Sequence, residues 1–350
     1  MQKHGGDIYQ RDYRLDFSVN VNPLGTPERV MEAACEGIRR SDRYPDVECR
    51  KLRAKLSLAE GVPGEQIVFG NGAADLIFAL ALAKRPEKAL LPAPTFAEYE
   101  QAVRMAGGQV TYHELSEADG FLLDERIIES ITPDVDMLFL CNPNNPTGLS
   151  LKKELVFRIL ERCAACGTLL VVDECFNEFL DEPEAYSVKE YLDSYPGLFI
   201  LKAFTKVYAM AGLRLGYGFS SDQELLARMG EMRQPWNVSI PAQYAGVAAL
   251  DETDYVSRCK AMLAGERDYL KAGLGRMGFT VYDSQANYIF FRAWPGLYQA
   301  MAERGILIRD CGNYVGLSEG YFRVAVKTHE ENAELTRTME EVVRKWQRQS

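Results

Sequence analysis

The 350-residue sequence predicts an α/β protein, with a mainly parallel sheet covered by helices on both faces and a smaller α+β domain after it. Three observations predict this. From about residue 66, short apolar runs alternate with amphipathic ones; several apolar runs end on a single polar residue; and after Pro235 the pattern changes to long amphipathic helices with a few short strands. A composition of 47 % hydrophobic and 26 % charged residues is that of an ordinary globular chain.

In order, QIVFG reads as a strand, AADLIFALALA as a helix, KALLP as a strand and TFAEYEQAVRMAG as a helix. QVTYHEL and DMLFLCN read as strands, KKELVFRILERCAA as a helix, and TLLVVDE, LFILKAF and LRLGYGF as strands. Such strands are continuous apolar runs because helices cover both faces of a parallel sheet. The helices IPAQYAGVAALDE and YVSRCKAMLAGERDYLKAGLGRMG follow, then the strands NYIFFRA, GILIRD and YFRVAVK, and a closing helix from about Thr328. The chain is thus expected to divide into an N-terminal arm (1–25) packing with the small domain and the substrate site, a large domain (26–235) and a small domain (236–350).

A net charge of −10 opposes any broad attraction to polyanions, so nucleic acid is not an expected partner and an anionic substrate needs local arginines. The opening MQKHGGDIYQRDYR lacks the apolar core of a signal peptide, and no stretch approaches the roughly 18 apolar residues of a membrane span. No membrane partner and a cytoplasmic location are expected. Eight cysteines scattered through helix and strand patterns suit reduced thiols in a core. Cys163 and Cys166 form a C-x-x-C inside a helical pattern without a second pair or a nearby histidine, so no metal site is expected.

A parallel sheet binds its ligand beyond the carboxyl ends of its strands, which makes the polar residues there the candidates. In FTKVYAMAGLRLGYG, Lys206 follows one strand and Arg214 begins the next. Desolvation and neighbouring cations lower the pKa of a lysine placed this way, as a Schiff-base amine requires. Thr205 and Arg214 carry groups suited to a phosphate. Taken singly, Lys206 reads as a solvated loop lysine and Arg214 as the partner of a surface carboxylate.

In GNGAAD (70–75), the N–H groups of Gly72, Ala73 and Ala74 open a helix and form an anion site, because the first amides of a helix lack internal partners. Asp173 ends a run of four apolar residues, so its carboxylate needs a cation; the protonated pyridine nitrogen of pyridoxal 5'-phosphate (PLP) is a suitable one. CNPNNPTG (141–148) is either a tight turn or a loop whose Asn145 offers its amide to the cofactor's phenolic oxygen.

Together these segments resemble the fold type I PLP enzymes, specifically the class I/II aminotransferase superfamily, in the same order from about residue 20 to the end. The match rests on N-P-T-G with Asn145, the strand-end Asp173, T-K with Thr205 and Lys206, and G-L-R-L-G with Arg214. The resemblance implies the PLP-dependent transferase fold, with the large domain as the PLP-binding one. It implies that Lys206 carries PLP as a Schiff base and later shuttles protons at the substrate Cα. Asp173 would face the ring nitrogen, and Arg214, Thr205 and the glycine-turn amides the phosphate. Phe96, in PAPTFAEY, matches the aromatic that stacks on the ring, and Tyr44, in RYPD, a tyrosine reaching the partner subunit's phosphate; a homodimer with shared active sites follows. The chain departs from the pattern at Phe176, where many aminotransferases have a tyrosine, so the phenolic oxygen loses a hydroxyl partner.

HGGD (4–7), DFSVNVNPLG (16–25) and LIRDCGNYVGLSEGYFRVAV (307–326) are similar to the histidinol-phosphate aminotransferase branch and, within it, to the L-threonine-O-3-phosphate decarboxylases of cobalamin biosynthesis. Arg309 and Arg323, on adjacent short strands, are enough to neutralise a substrate with a carboxylate and a phosphate, or else they bridge to surface acids. By resemblance Arg323 binds the substrate carboxylate, while Arg309, His4, Gly5 and Asn20 surround its phosphate. The implied reaction is decarboxylation of L-threonine O-3-phosphate to (R)-1-amino-2-propanol O-2-phosphate and CO2; the alternative is transamination of the histidinol-phosphate type with 2-oxoglutarate. The bond at Cα held perpendicular to the pyridine plane is the one that breaks. Sequence gives the residue types but not that angle, so decarboxylation follows from the resemblance alone.

Overall fold

The computed structural model describes residues 4–9 and 11–348; residues 1–3 and 10 of the expected arm lie outside them. Strand β1 (Leu15–Asp16) and helices α1 (Glu28–Ile38) and α2 (Arg50–Glu60) come first. Then follow β2 (Ile67–Gly70), α3 (Ala73–Lys84), β3 (Lys88–Ala93), α4 (Ala97–Met105), β4 (Gln109–Glu114) and the short α5 (Ile127–Ser130). Next are β5 (Met137–Cys141), α6 (Lys153–Cys166), β6 (Leu169–Asp173), β7 (Leu198–Ala203), α7 (Phe204–Val207), β8 (Gly216–Phe219) and α8 (Gln223–Glu231). The rest comprises α9 (Ile240–Ala249), α10 (Thr253–Arg276), β9 (Thr280–Val281), β10 (Tyr288–Arg292) and α11 (Leu297–Ala302). It ends with β11 (Ile306–Leu307), β12 (Arg309–Asp310), β13 (Tyr321–Ala325) and α12 (His329–Gln347).

The large sheet has the order β2-β8-β7-β6-β5-β3-β4, with β8 antiparallel to both neighbours and the other pairs parallel. Alternate residues of a strand face opposite sides, and the core divides accordingly. Met137, Phe139 and Val171 pack with Leu76 and Leu80 of α3 and Tyr99 of α4. Leu138, Leu140 and Val172 pack with Ile159 of α6, Leu52 of α2 and Ala245 of α9. Both faces are therefore covered, as the unbroken apolar runs predict.

A second sheet, β12-β13-β10-β9, is antiparallel and is covered by α10 and α12 through Leu263, Leu270, Leu335 and Met339. Thr328 starts α12 with a capping box closed by Glu331. The two apolar cores interlock instead of dividing at one point in the chain: Tyr282, Phe290 and Tyr321 pack with the large lobe's core, and Phe176, Phe179 and Val207 with the small lobe's.

Two strand expectations need correction. GILIRD is not one strand: β11 pairs in parallel with β1, and β12 pairs with β13, so the chain changes partners at the buried Ile308. LRLGYGF forms a strand only from Gly216; Arg214 sits in the preceding turn at φ +59°. The β1 pairing holds the arm on the small lobe, where Phe17 is fully buried among that lobe's residues. Among the described residues no helix is long and apolar enough to cross a membrane.

If Phe17 fastens the arm, Phe17→Ala leaves a cavity at the lobe's edge and costs about 3–5 kcal/mol. A denaturation midpoint unchanged from that of the parent protein would contradict this.

Candidate active site

The carboxyl ends of β2, β3, β5, β6 and β7 open onto one cavity, lined from the large lobe by Ala73, Ala74, Phe96, Asn145, Asp173, Thr205, Lys206 and Arg214. His4, Gly5, Asn20, Arg309 and Arg323 line its other side from the arm and the small lobe. Of the residues singled out in the sequence, Gly72 and Tyr44 do not line the cavity; Gly72 lies directly behind Arg214. Tyr44 is 78 % exposed and stacks on Trp236 at 4.5 Å.

The β2–α3 turn is shaped for an anion. Gly72 is the N-cap of α3 at φ +82°, and no side chain caps the helix, so the first amides are left for a ligand. A Cβ on Gly72 would stand 2.3 Å from Arg214 Nη2, and one on Gly216 would stand 2.3 Å from the Ala73 nitrogen. The guanidinium therefore lies on the turn only because Gly72 lacks a side chain, and β8 packs against the same turn only because Gly216 does. Arg214 itself takes the left-handed conformation, which costs an L-residue roughly 1–2 kcal/mol, and Nη1 donates to the Ala211 carbonyl at 3.1 Å. With the buried Thr205 beside them, these groups fit a phosphate in both charge and donor type.

Asp173 is 6 % exposed and, among the described residues, is not ion-paired with any lysine or arginine. Its Oδ2 accepts a hydrogen bond from the Tyr99 hydroxyl at 2.6 Å, and its Oδ1 accepts one from the Cys175 N–H at 2.9 Å. Burial pushes its carboxyl above the usual range, and these two hydrogen bonds oppose that. A cationic ring nitrogen is the partner such a carboxylate lacks. Tyr99 was not anticipated, although it lies three residues after Phe96 and therefore on the same side of α4. It is wholly buried, stacked on Phe139 at 4.8 Å.

Lys206 lies in α7, immediately beyond β7. Burial, then the charges of Arg323 and Arg214, hold its amine down to about 8 from the usual 10.5. Its Nζ is 5.9 Å from the ring centre of Phe176, which has no hydroxyl to offer. Asn145 Oδ1 accepts hydrogen bonds from the Tyr314 hydroxyl at 3.2 Å and from Arg323 Nη1. With that oxygen engaged, the amide nitrogen is the group left for the cavity.

On the opposite wall Arg323 is buried, donating Nη2 to the Ser18 carbonyl at 3.0 Å, and the Asn20 amide oxygen accepts from its Nε at 3.3 Å and its Nη1 at 3.2 Å. Asn20 thus stands beside Arg323. Arg309 is also buried, with Nη2 on Asn313 at 2.8 Å and its guanidinium over the Tyr314 ring at 5.2 Å. The arm reaches this wall because Gly5 packs directly on Ser18, where a Cβ would be 2.3 Å from the carbonyl oxygen, and the Gly6 N–H donates to Ser18 Oγ at 2.7 Å. His4 follows, its Nδ1 3.5 Å from Glu98 Oε1; burial and then Arg309 lower its pKa. Glu98, unanticipated in the sequence, lines the same cavity.

The model of the aminotransferase class I and II family matches residues 14–339. The threonine-phosphate decarboxylase of Salmonella typhimurium is 36 % identical over 352 residues, covering 97 % of this chain and 96 % of that protein. Among solved structures, the histidinol-phosphate aminotransferase from Clostridium acetobutylicum superposes with a TM-score of 0.88 at 32 % identity, covering 95 % of this chain and 99 % of that one. The L-threonine-O-3-phosphate decarboxylase from Porphyromonas gingivalis superposes with a TM-score of 0.83 at 25 % identity, covering 94 % and 99 %. With a family match over nearly its whole length, the chain belongs to the class I and II aminotransferases.

Proposed function

We propose that the protein is a PLP-dependent lyase that decarboxylates L-threonine O-3-phosphate to (R)-1-amino-2-propanol O-2-phosphate and CO2. One observation carries the reading: two buried arginines, Arg309 and Arg323, face the cavity from one wall, while a separate anion cradle lies on the other. One cradle suits the cofactor's phosphate, leaving two cations for a substrate with two anionic groups. The likeness to the Salmonella decarboxylase, which spans nearly both chains, supports it.

In this reading the turn amides of Gly72, Ala73 and Ala74, with Thr205 and Arg214, hold the PLP phosphate, Phe96 stacks on the ring and Asn145 serves its phenolic oxygen. Bound there, PLP supplies an electron sink for the pair released when a bond at the substrate Cα breaks. Asp173 keeps the ring nitrogen charged, and Tyr99 keeps Asp173 pointed at it. Arg323 fixes the substrate carboxylate, while Arg309, His4, Gly5 and Asn20 receive the phosphate. This two-point grip sets which Cα bond stands perpendicular to the ring. Lys206 is the cofactor's covalent anchor and then the acid that delivers a proton to Cα after CO2 leaves; an amine near 8 exchanges protons readily at neutral pH.

Transamination is the second reading, favoured by the 0.88 superposition on a histidinol-phosphate aminotransferase. Phe176 weighs against it, because it withholds the hydroxyl that many aminotransferases place at that position. We further infer a cytoplasmic homodimer. Tyr44, exposed and outside its own cavity, is offered to the partner's PLP phosphate, and eight free cysteines suit a reducing compartment.

The purified protein incubated with phosphothreonine should release CO2 and form no glutamate when 2-oxoglutarate is added. Lys206→Ala should abolish that release and the long-wavelength absorbance of bound PLP; amino-group transfer without CO2 would establish the second reading instead. Arg309→Ala should raise KM for phosphothreonine by about 10- to 100-fold, the loss of a charged hydrogen-bonding partner, and a KM within twofold of the parent's would remove Arg309 from the phosphate site. Tyr99→Phe should lower kcat by roughly tenfold with little change in KM, since it weakens only the group behind the ring. An unaltered pH dependence of the bound cofactor's absorbance would show that Tyr99 does not act through Asp173.

A further inference from the structure

An acid among the cations of an anion-binding wall needs a reason. Glu98 is the second residue of α4 and lines the cavity beside His4, within the field of Arg309. Its side chain is 16 % exposed; Oε1 stands 3.5 Å from His4 Nδ1, while Oε2 is fully buried with no hydrogen-bond partner. A buried polar atom left without a partner is costly and uncommon in a folded protein, so its partner is expected to arrive with a ligand. The groups around it are His4 from the arm, Arg309 from β12, Lys206 from α7 and Asp173 from β6. A carboxylate here would repel a phosphate dianion; a carboxyl group would not.

We propose that Glu98 is a specificity-determining residue that shares one proton with the phosphate of the substrate, its Oε2 and a non-bridging phosphate oxygen forming the two ends of a single hydrogen bond. The proposal rests on the reading of Arg309 and His4 as the substrate-phosphate site. Burial raises the Glu98 carboxyl to about 7, against the opposing pull of its own backbone N–H, Arg309 and Lys206. The group is thus within reach of protonation at neutral pH before any ligand enters. His4 does not supply this proton, because its own pKa is lowered by burial and by Arg309.

The sharing has a thermodynamic signature. A phosphate monoester is a dianion above about pH 6; above pH 7 Glu98 is increasingly a carboxylate as well. Joining the two at pH 8 then requires one proton from solvent, so binding takes up a proton and weakens as pH rises. The grip selects a dianionic ester that accepts a hydrogen bond at this point, and it becomes weakest in alkaline solution.

The test uses the PLP-loaded enzyme and ethyl phosphate, a monoester with no amine or carboxylate to react. Calorimetry at pH 8 in two buffers of different ionisation enthalpy should give an uptake approaching one proton per ligand, with Kd rising about tenfold between pH 7.5 and 8.5. In Glu98→Gln the uptake should vanish and the pH slope flatten; in His4→Gln the uptake should remain. Zero uptake by the unsubstituted enzyme overturns the proposal without any variant, and so does uptake that persists in Glu98→Gln. Should ethyl phosphate not bind at all, the phosphate site is misplaced and the proposal falls, while CO2 release from phosphothreonine reports separately on the reaction assigned above. Glu98→Asp guards against misfolding, since it keeps the titrating group and should keep part of the uptake.

Discussion

A buried carboxylate without a matching cation organises this protein. Asp173 closes the central strand β6, flanked by β5 and β7, beneath a cavity, where an isolated negative charge is unfavourable unless something positive is brought to it. Tyr99 and the Cys175 N–H supply hydrogen bonds but no charge. The sheet therefore presents a standing demand for a cationic ligand, and the other cofactor-side groups are placed in relation to it: Lys206 one strand away, the phosphate cradle on the β2–α3 turn, and Phe96 at the start of the helix that carries Tyr99.

That a glycine turn and a strained arginine cooperate follows from the same economy of space. Arg214 reaches the cradle from a left-handed turn and fits because Gly72 carries no Cβ, while Gly216 lets β8 lie against the same turn. Positive charge next to Lys206 then acts twice, attracting a phosphate and holding the amine down.

Much of this was legible because each motif is local. An apolar strand ending in Asp173, or in Ala203 shortly before Lys206, announces itself within ten residues, and the periodicities of 2 and 3.6 placed the sheet and its helices. The groups that escaped notice act across long stretches of chain. Tyr99 meets Asp173 74 residues on, Arg323 meets Ser18 across 305 residues and Tyr314 meets Asn145 across 169. Nothing in FAEYE separates Glu98 and Tyr99 from an ordinary amphipathic face. GILIRD was misread for a related reason: one apolar run serves two partner strands, and the β1 partner lies nearly 300 residues earlier.

The parallel pairing of β1 with β11, together with Arg323 on the Ser18 carbonyl, joins the two ends of the chain into a single piece of wall. The opposite wall is built from the turns and helix starts that follow the carboxyl ends of the central sheet's strands. On the roles proposed above, the chain has a natural fault line: substitutions among residues 4–9, 11–25 and 306–325 retune what is recognised while the opposite wall keeps its chemistry. On that reading His4 and Gly5 are not part of a dispensable tail, and a chain lacking them would forfeit discrimination before it forfeited chemistry.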